Sequence, residues 1–402
     1  MTNAQNDECT KSPTTTDAKD SMMDLEQLRE QISAVDSDIV TLLTKRLQLV
    51  EQVSDYKKEQ SLPVLDQARE RKVLERIAEL APEALKEQYL SLYALIMQIA
   101  RIEEYKKIAP LSSLYPLIER ARANTPEAFP KFSTIATQGS EGAYQQLAAD
   151  KLFKHASINF YPNFEDVFSA IENGISDYGV LPIENSTAGS VKRVFDLLDQ
   201  HKCYIVRTTR LKIDHNLLVK KGTKLEDIKH IYSHEQALAQ CSEFLSRHKT
   251  IEAHAVKNTA IAAQMIANSS GSDAACIASL ACARLYDLEV LAQDIQNNDN
   301  NYTRFGCISK KLEIYPGANR TSLMIITQHT PGSLYNVLGI FYALGINIIK
   351  LESRPLPKRD FEFMFYFDID LGPQDEVFPT LLKSLSSSCQ EMRYVGSYTE
   401  VI

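Results

Sequence analysis

Leu25-Glu-Gln-Leu28-Arg-Glu-Gln-Ile32-Ser-Ala-Val35-Asp-Ser-Asp-Ile39-Val-Thr-Leu42-Leu-Thr-Lys-Arg46-Leu-Gln-Leu49-Val-Glu-Gln-Val53 repeats its apolar residues at intervals of three and four. That spacing fits one face of a helix and no strand. A helix of roughly nine turns is about 50 Å long, too long for the interior of a small monomeric domain. The stripe therefore predicts a helical domain that buries it against a second copy of the chain. Arg46 interrupts the stripe, and Lys57 returns near the same face three turns later. A buried unpaired cation is costly, so the pattern predicts an anion between the helices at that level, supplied by the protein or by a ligand. After Pro63, Asp66 and Glu70 fall one turn apart at the start of a second helix, and a third runs from about Pro82 through Leu92, Leu95, Ile96 and Ile99. Singly these residues have plainer explanations: long cations at stripe edges snorkel, and acids in a first turn complement the helix dipole.

The whole chain bounds the reading. Its 402 residues suggest two or three domains. A net charge of -8 argues against a nucleic-acid or anionic-membrane partner. Residues 1–23 are polar, without an apolar core, and read as a disordered tail and not a signal peptide. No apolar run is long enough to span a bilayer. Seven cysteines lie scattered with no Cys-x-x-Cys and no histidine at ligand spacing, which predicts no disulfide framework and no metal site in a cytoplasmic protein. No phosphate loop or Gly-x-Gly-x-x-Gly suggests a cofactor.

Residues 24–109 read as helical throughout, and Pro, Ser and Asn punctuation over 110–131 reads as a linker. Over 132–311, strands near Ser133–Thr137, Tyr178–Leu181, Cys203–Val206, Asn216–Val219 and Ala275–Ala278 alternate with helices near Ala143–Phe153, Phe164–Asn173, Gln236–Ser246 and Thr259–Ala267. This is an α/β pattern with largely parallel sheets, whose ligand sits at strand carboxyl ends. Residues 320–402 read as a βαββαβ ferredoxin-like module.

Leu28-Arg29 through Asp36, with Lys45-Arg46, Tyr56-Lys57 and Asp66-Gln-Ala-Arg-Glu70, resembles the all-helical chorismate mutase family. The resemblance implies a pericyclic rearrangement of a dicarboxylate enol ether, in which the protein holds the reactive conformer and stabilises charge on the ether oxygen. It implies that Arg46 and an Arg29 from the partner clamp the carboxylates, that Lys57 donates to the ether oxygen, and that Asp66 and Glu70 hold the ring hydroxyl. Where relatives commonly place Gln on the third helix, this chain has Glu104, or Tyr105 after a one-residue slip, and Ala100 stands one turn earlier. A carboxylate donates only when protonated, which predicts mutase activity that falls as pH rises.

Gly139-Ser-Glu-Gly-Ala-Tyr144, Leu181-Pro-Ile-Glu184-Asn185-Ser186-Thr-Ala-Gly-Ser190, Tyr232-Ser233-His234-Glu-Gln236 and Asn301-Tyr-Thr303-Arg304-Phe305 are polar turns beside strands. Each admits a bland reading as a turn or cap. In this order they resemble prephenate dehydratase, which implies a two-subdomain, periplasmic-binding-like α/β domain and a reaction expelling carbon dioxide and water to leave phenylpyruvate. Thr303 would assist the departing hydroxyl; Glu184, Asn185, Ser186, Ser233, His234, Gln236, Arg304 and Phe305 would bind substrate. Thr330-Pro-Gly332-Ser333-Leu334-Tyr335 and Leu351-Glu352-Ser353-Arg354-Pro355 resemble the ACT regulatory domain attached to such dehydratases. That implies feedback inhibition by L-phenylalanine bound between two subunits at these residues, with Ser333 and Tyr335 departing from the usual smaller apolar residues. The resemblances together imply a multidomain, cofactor-free bifunctional enzyme acting on chorismate and prephenate, a homodimer or larger. A dehydratase whose helical domain only dimerises, or a silent amino-acid sensor, are the alternatives.

Overall fold

The computed structural model describes residues 24–108, 110–356 and 363–402. The reading of 1–23 as a tail and the start of the strand placed at Phe361 lie outside the described residues. The chain divides into two compact units, residues 1–108 and 109–402.

The first unit is helical: α1 (Leu25–Glu59), α2 (Gln67–Leu80) and α3 (Lys86–Ile108), with a 3₁₀ turn over Glu83–Leu85. Asp66 caps α2 by accepting the Arg69 N–H at 2.9 Å. Lys57 meets Glu104 while Lys107 meets Asp55 and Glu51, so α1 and α3 run antiparallel. Along α1, Ser54 is buried, yet Ile32, Val35 and Leu42 are 60%, 57% and 66% exposed.

The second unit carries three sheets. In the first, Phe132–Gln138 pairs in parallel with His155–Tyr161 and Tyr178–Asn185. Tyr302–Ser309 lies antiparallel between Tyr178–Asn185 and Tyr204–Lys212. The second sheet, Glu289–Ala292, Asn216–Val219, Ala274–Ala278, His230–Ser233 and Glu252–Ala255 in that order, mixes directions likewise. The expectation of largely parallel sheets is therefore corrected. The chain leaves the first sheet after Lys212, builds the second, and returns at Tyr302, so the returning strand enters reversed.

The third sheet is wholly antiparallel, in the order Ile348–Pro355, Phe363–Ile369, Arg320–Ile326 and Glu391–Tyr398. Helices Ser333–Ala343 and Phe378–Ser388 complete the expected ferredoxin-like module. Its boundaries interleave with the rest. The expected linker contains a helix, α4 (Leu114–Asn124), whose Ile118 and Ala121 enter the module's core beside Leu382 and Leu385. Pro116 is tolerated there because it falls in the first helical turn. At the other end, Glu400–Val401 leaves the module to pair in parallel with Thr208–Thr209.

The module and the first sheet also share one core, in which Phe195, Leu198 and Ile205 pack with Met324, Tyr366, Val395 and Tyr398. Gly396 marks the closest approach. Its φ is +148°, and a Cβ there would overlap the Ile205 carbonyl.

Candidate active sites

In the helical unit, α3 gathers two ion pairs one turn apart. Lys57 Nζ donates to Glu104 Oε2 at 2.6 Å and to the Val64 carbonyl at 2.7 Å, with both side chains mostly buried. Arg101 Nη1 donates to both Glu70 oxygens at 2.7 Å. Arg46, three turns before Lys57, keeps a buried Nη1 with no hydrogen-bond partner among the described residues. Arg29 is exposed, and exposed Asp66 is engaged as a cap. Of the two third-helix candidates, Glu104 faces Lys57, while Tyr105 is 3% exposed in the core. Arg101 was missed by sequence reasoning; it lies three residues before Glu104, on the same helical face, and that spacing was the available signal.

In the second unit, a chain of hydrogen bonds joins the first two sheets, and each link fixes the orientation of the next. Asn185 Oδ1 accepts the backbone N–H groups of Thr187 and Ala188 at 3.1 and 2.9 Å, so its amide nitrogen points the other way. That nitrogen donates to Thr303 Oγ1 and to Asn301 Oδ1, each at 2.9 Å. Asn301 Nδ2 in turn donates to Gln240 Oε1 at 3.2 Å. His215 Nε2 lies 2.8 Å from the same oxygen, which can only accept, so Nε2 carries the hydrogen. Gln240 Nε2 donates to Thr187 Oγ1, which donates back to Asn185 Oδ1 at 2.7 Å. Thr303 Oγ1 is thus an acceptor from Asn185, and among the described residues no group accepts its own hydrogen.

His215 is 2% exposed, its buried Nδ1 has no hydrogen-bond partner among the described residues, and burial lowers its pKa, partly offset by the Gln240 hydrogen bond. It is held neutral. Ser186 Oγ donates to the Asn300 carbonyl at 2.8 Å and accepts the Tyr302 N–H, clamping the two polar turns together.

The other residues expected to bind substrate are placed as follows. Arg304 and Glu184 neighbour Thr303 and Asn185 on paired strands, and side chains alternate faces along a strand. Arg304 therefore turns away from Thr303 and pairs with buried Asp368 and with Glu184 at 3.1 Å. Its pKa is raised: burial opposes its charge, and Asp368, Tyr398 and Glu184 outweigh the burial. Lys350 closes the cluster, 3.4 Å from Glu184 and 3.6 Å from Glu352, with its ammonium over the Phe195 ring. Phe305 is 2% exposed within a core containing Val180 and Cys307. Gln236 and His234 are exposed, His234 acting as a helix cap; the amide in the network is Gln240, one turn further on. Ser233 is fully buried and donates to the Ile277 carbonyl.

In the ferredoxin-like module, Gly332 sits at φ +84° ahead of its helix, beside a cavity of about 470 Å³ lined by residues 327–335, Phe363 and Phe365. Ser333 and Leu334 line it; Glu352 and Arg354 do not. Arg354 is instead held by both oxygens of Asp196 at 2.7 and 2.9 Å, while Ser353 and Pro355 are exposed on the edge strand.

Comparison with known proteins accords with this division. The chorismate mutase type II family model matches residues 28–105, and the prephenate dehydratase family model residues 135–313. A bifunctional chorismate mutase/prephenate dehydratase of Enterobacter agglomerans is 32% identical over 92% of this chain and 95% of its own length. Arogenate dehydratase/prephenate dehydratase 2 of Arabidopsis thaliana is 38% identical over 66% of this chain and 72% of its own. Among solved structures, the prephenate dehydratase of Arthrobacter aurescens in complex with L-Phe superposes at a TM-score of 0.61, with 27% identity over 66% of this chain and 89% of that one. A structure described as GqqA, a novel type of quorum quenching acylase, superposes equally well at 28% identity, over 67% of this chain and 98% of that one.

Proposed function

The chain belongs to the family of bifunctional chorismate mutase/prephenate dehydratases, and from that membership we propose how its residues divide the two reactions. The helical unit rearranges chorismate to prephenate. Arg46, whose buried Nη1 has no partner among the described residues, takes one substrate carboxylate, and Arg29 of the partner subunit takes the other. The exposed apolar stripe of α1 supports this pairing, because Ile32, Val35 and Leu42 need a cover that a second copy supplies. Lys57 donates to the ether oxygen, with Glu104 as the neighbouring donor when protonated; Glu70, aligned by Arg101, and Asp66 meet the ring hydroxyl.

The dehydratase then converts prephenate to phenylpyruvate. The bond from carboxylate carbon to ring breaks, its electron pair enters the ring, and the ring hydroxyl leaves as water. Thr303 directs its hydroxyl hydrogen at that departing oxygen, and the proton that completes the water comes in net from solvent, which restores the threonine hydroxyl. The observation that carries this reading is the Asn185–Thr303 bond, whose direction is fixed by the two backbone donors on Asn185 Oδ1. The ferredoxin-like module is an ACT-like regulatory domain, and its 470 Å³ cavity beside Gly332, Ser333 and Leu334 receives L-phenylalanine. Six free cysteines among the described residues, with Cys203 pushed up to about 11 and Cys241 to about 12 by burial, suit a reduced cytoplasmic setting.

The test assays chorismate loss and phenylpyruvate formation separately in wild type, Arg46→Ala and Thr303→Ala, with and without L-phenylalanine. Arg46→Ala should abolish only the first activity and Thr303→Ala only the second. Failure of either separation refutes the assignment, and activities indifferent to phenylalanine refute the regulatory part.

A further inference from the structure

We propose that His230, Glu252 and His254 form a binding site for a zinc-class divalent ion on the outer edge of the second sheet. Strand register brings the three residues together. His230–Ser233 pairs in parallel with the edge strand Glu252–Ala255, setting His230 opposite Glu252 and Tyr232 opposite His254. Residues two apart on a strand share a face, so His230, Tyr232, Glu252 and His254 all project from one side of the pair, opposite buried Ile231. Glu252 and His254 stand two residues apart on one strand while His230 comes from another, which is why no local spacing marks all three.

The distances are those of a chelate. His230 Nδ1 lies 3.1 Å from His254 Nε2, and Glu252 Oε2 lies 3.6 and 3.8 Å from the same two nitrogens. A point equidistant from these three atoms is about 2.0 Å from each in their plane, and about 2.2 Å if raised toward a tetrahedral position. Zinc bonds imidazole nitrogen at about 2.0–2.1 Å and carboxylate oxygen at about 2.0–2.2 Å. A simple bond between two imidazoles accounts for the 3.1 Å approach. It does not account for a carboxylate oxygen set nearly symmetrically against both nitrogens.

Ring orientation is consistent with this. The two imidazoles are inclined at 49°, so their nitrogens converge without stacking, and Tyr232 lies against the His254 ring at 21° with 4.9 Å between centroids. That contact restrains a ligand ring from outside the first coordination sphere. Two nitrogens and one oxygen suit zinc, nickel or copper better than magnesium or calcium, which favour all-oxygen shells. The three side chains remain 35%, 72% and 39% exposed, leaving solvent to fill the fourth position. A bound ion would tie the exposed edge strand to its neighbour and stabilise that lobe by mass action. None of the three residues belongs to either proposed active site.

The experiment uses the full chain, stripped with chelator and dialysed, titrated with Zn²⁺ by calorimetry and with Co²⁺ by visible absorption. Wild type should bind one equivalent of each, show the intense visible bands of four-coordinate Co²⁺, and gain roughly 5–10 °C in unfolding midpoint at hundredfold excess over Kd. His230→Ala and His254→Ala should lose this equivalent, and Glu252→Gln should weaken it at least tenfold, with dehydratase activity retained as evidence of folding. Retention of the equivalent in His254→Ala, or no saturation of wild type by 100 μM Zn²⁺ (on the order of the weakest useful site), overturns the proposal. So does an equal loss in a control variant such as His248→Ala.

Discussion

Asp368→Asn should destabilise the second unit by about 3 kcal/mol, because it strands a buried cation. Asp368 is fully buried, and its carboxylate meets Arg304 and accepts from Ser322 Oγ at 2.5 Å. Asparagine has one oxygen for these two donors, so its amide nitrogen faces either Arg304 or Ser322, and the substitution removes the charge together with one acceptor. Arg304 is 7% exposed and would be left with Glu184, whose side chain is one-third exposed and shared with Lys350. Breaking a buried pair from one side costs about 3–5 kcal/mol, and the surviving Glu184 contact places this case near the lower end. For a unit of this size the midpoint should fall by roughly 5–10 °C.

The assay is thermal unfolding followed by circular dichroism, with both activities measured at 25 °C. Dehydratase kcat should fall, since Arg304 adjoins Thr303 and Glu184 adjoins Asn185 on the paired strands. Mutase activity should stay unchanged, because its residues lie in the other compact unit. The double variant Arg304→Met/Asp368→Leu replaces the ion pair with apolar groups and should recover most of the lost stability. A midpoint shift under about 1 °C for Asp368→Asn, or a double variant as unstable as the sum of the singles, would refute the charge argument.

Four further outcomes follow from the geometry. His215→Phe removes the donor that orients Gln240 and should lower dehydratase kcat at least tenfold with a smaller change in KM, whereas His215→Asn should retain part of the rate; steady-state kinetics decide it. Because His215 is depressed below its ordinary 6.5, the unfolded chain binds its proton first. Wild-type stability should therefore be full above about pH 6.5 and decline as pH falls toward the folded value, a slope that His215→Phe should flatten in denaturant titrations. Glu104→Gln supplies a permanent donor where the carboxylate now accepts from Lys57, so mutase kcat/KM should rise with dehydratase activity unchanged; an unchanged or lower mutase kcat/KM excludes Glu104 as a donor. Gly396→Ala, strained by its φ and by the Ile205 carbonyl, should cost about 2–4 kcal/mol and loosen the module from the first sheet, measured as faster amide exchange in Ile205–Thr208.

Much of this fold is legible from periodicity, and the failures have physical causes. The α1 stripe predicts a helix, and it forms over Leu25–Glu59. The helix α4 was legible too, since Leu114, Ile118 and Ala121 keep helical spacing; Pro116 and the preceding Ser112 and Ser113 masked it, although a first-turn proline breaks nothing. Glu400–Val401 carries no signal, because two residues acquire strand character only from the partner they meet. At the site, alternation along Tyr302–Ser309 already separates Thr303 from Arg304. What alternation does not say is which face meets the hydrogen-bonded network and which the ferredoxin-like module. Gln236 and Gln240 are likewise one turn apart, and only the contacts with Asn301, Thr187 and His215 select the second.

That alternation has a functional consequence. A single strand presents Thr303 to the hydrogen-bonded network between the first two sheets and Arg304 to Asp368 of the ferredoxin-like module, one peptide unit apart. Its paired strand does the same with Asn185 and Glu184, and Lys350 holds Glu184 from the module's side. Packed cores shift between discrete arrangements and do not deform smoothly. Any rearrangement that moves Asp368 or Lys350 relative to the first sheet must therefore either break these charge pairs or drag the two strands with it. Breaking them costs several kcal/mol. Dragging them by a few tenths of an ångström is cheaper, and an unequal displacement of the two strands alters the Asn185–Thr303 bond, the contact that aims the Thr303 hydroxyl. On this reasoning the buried ion pairs should couple dehydratase chemistry to the module's position. A variant that keeps the module folded but removes its charges should bind effector and no longer transmit it.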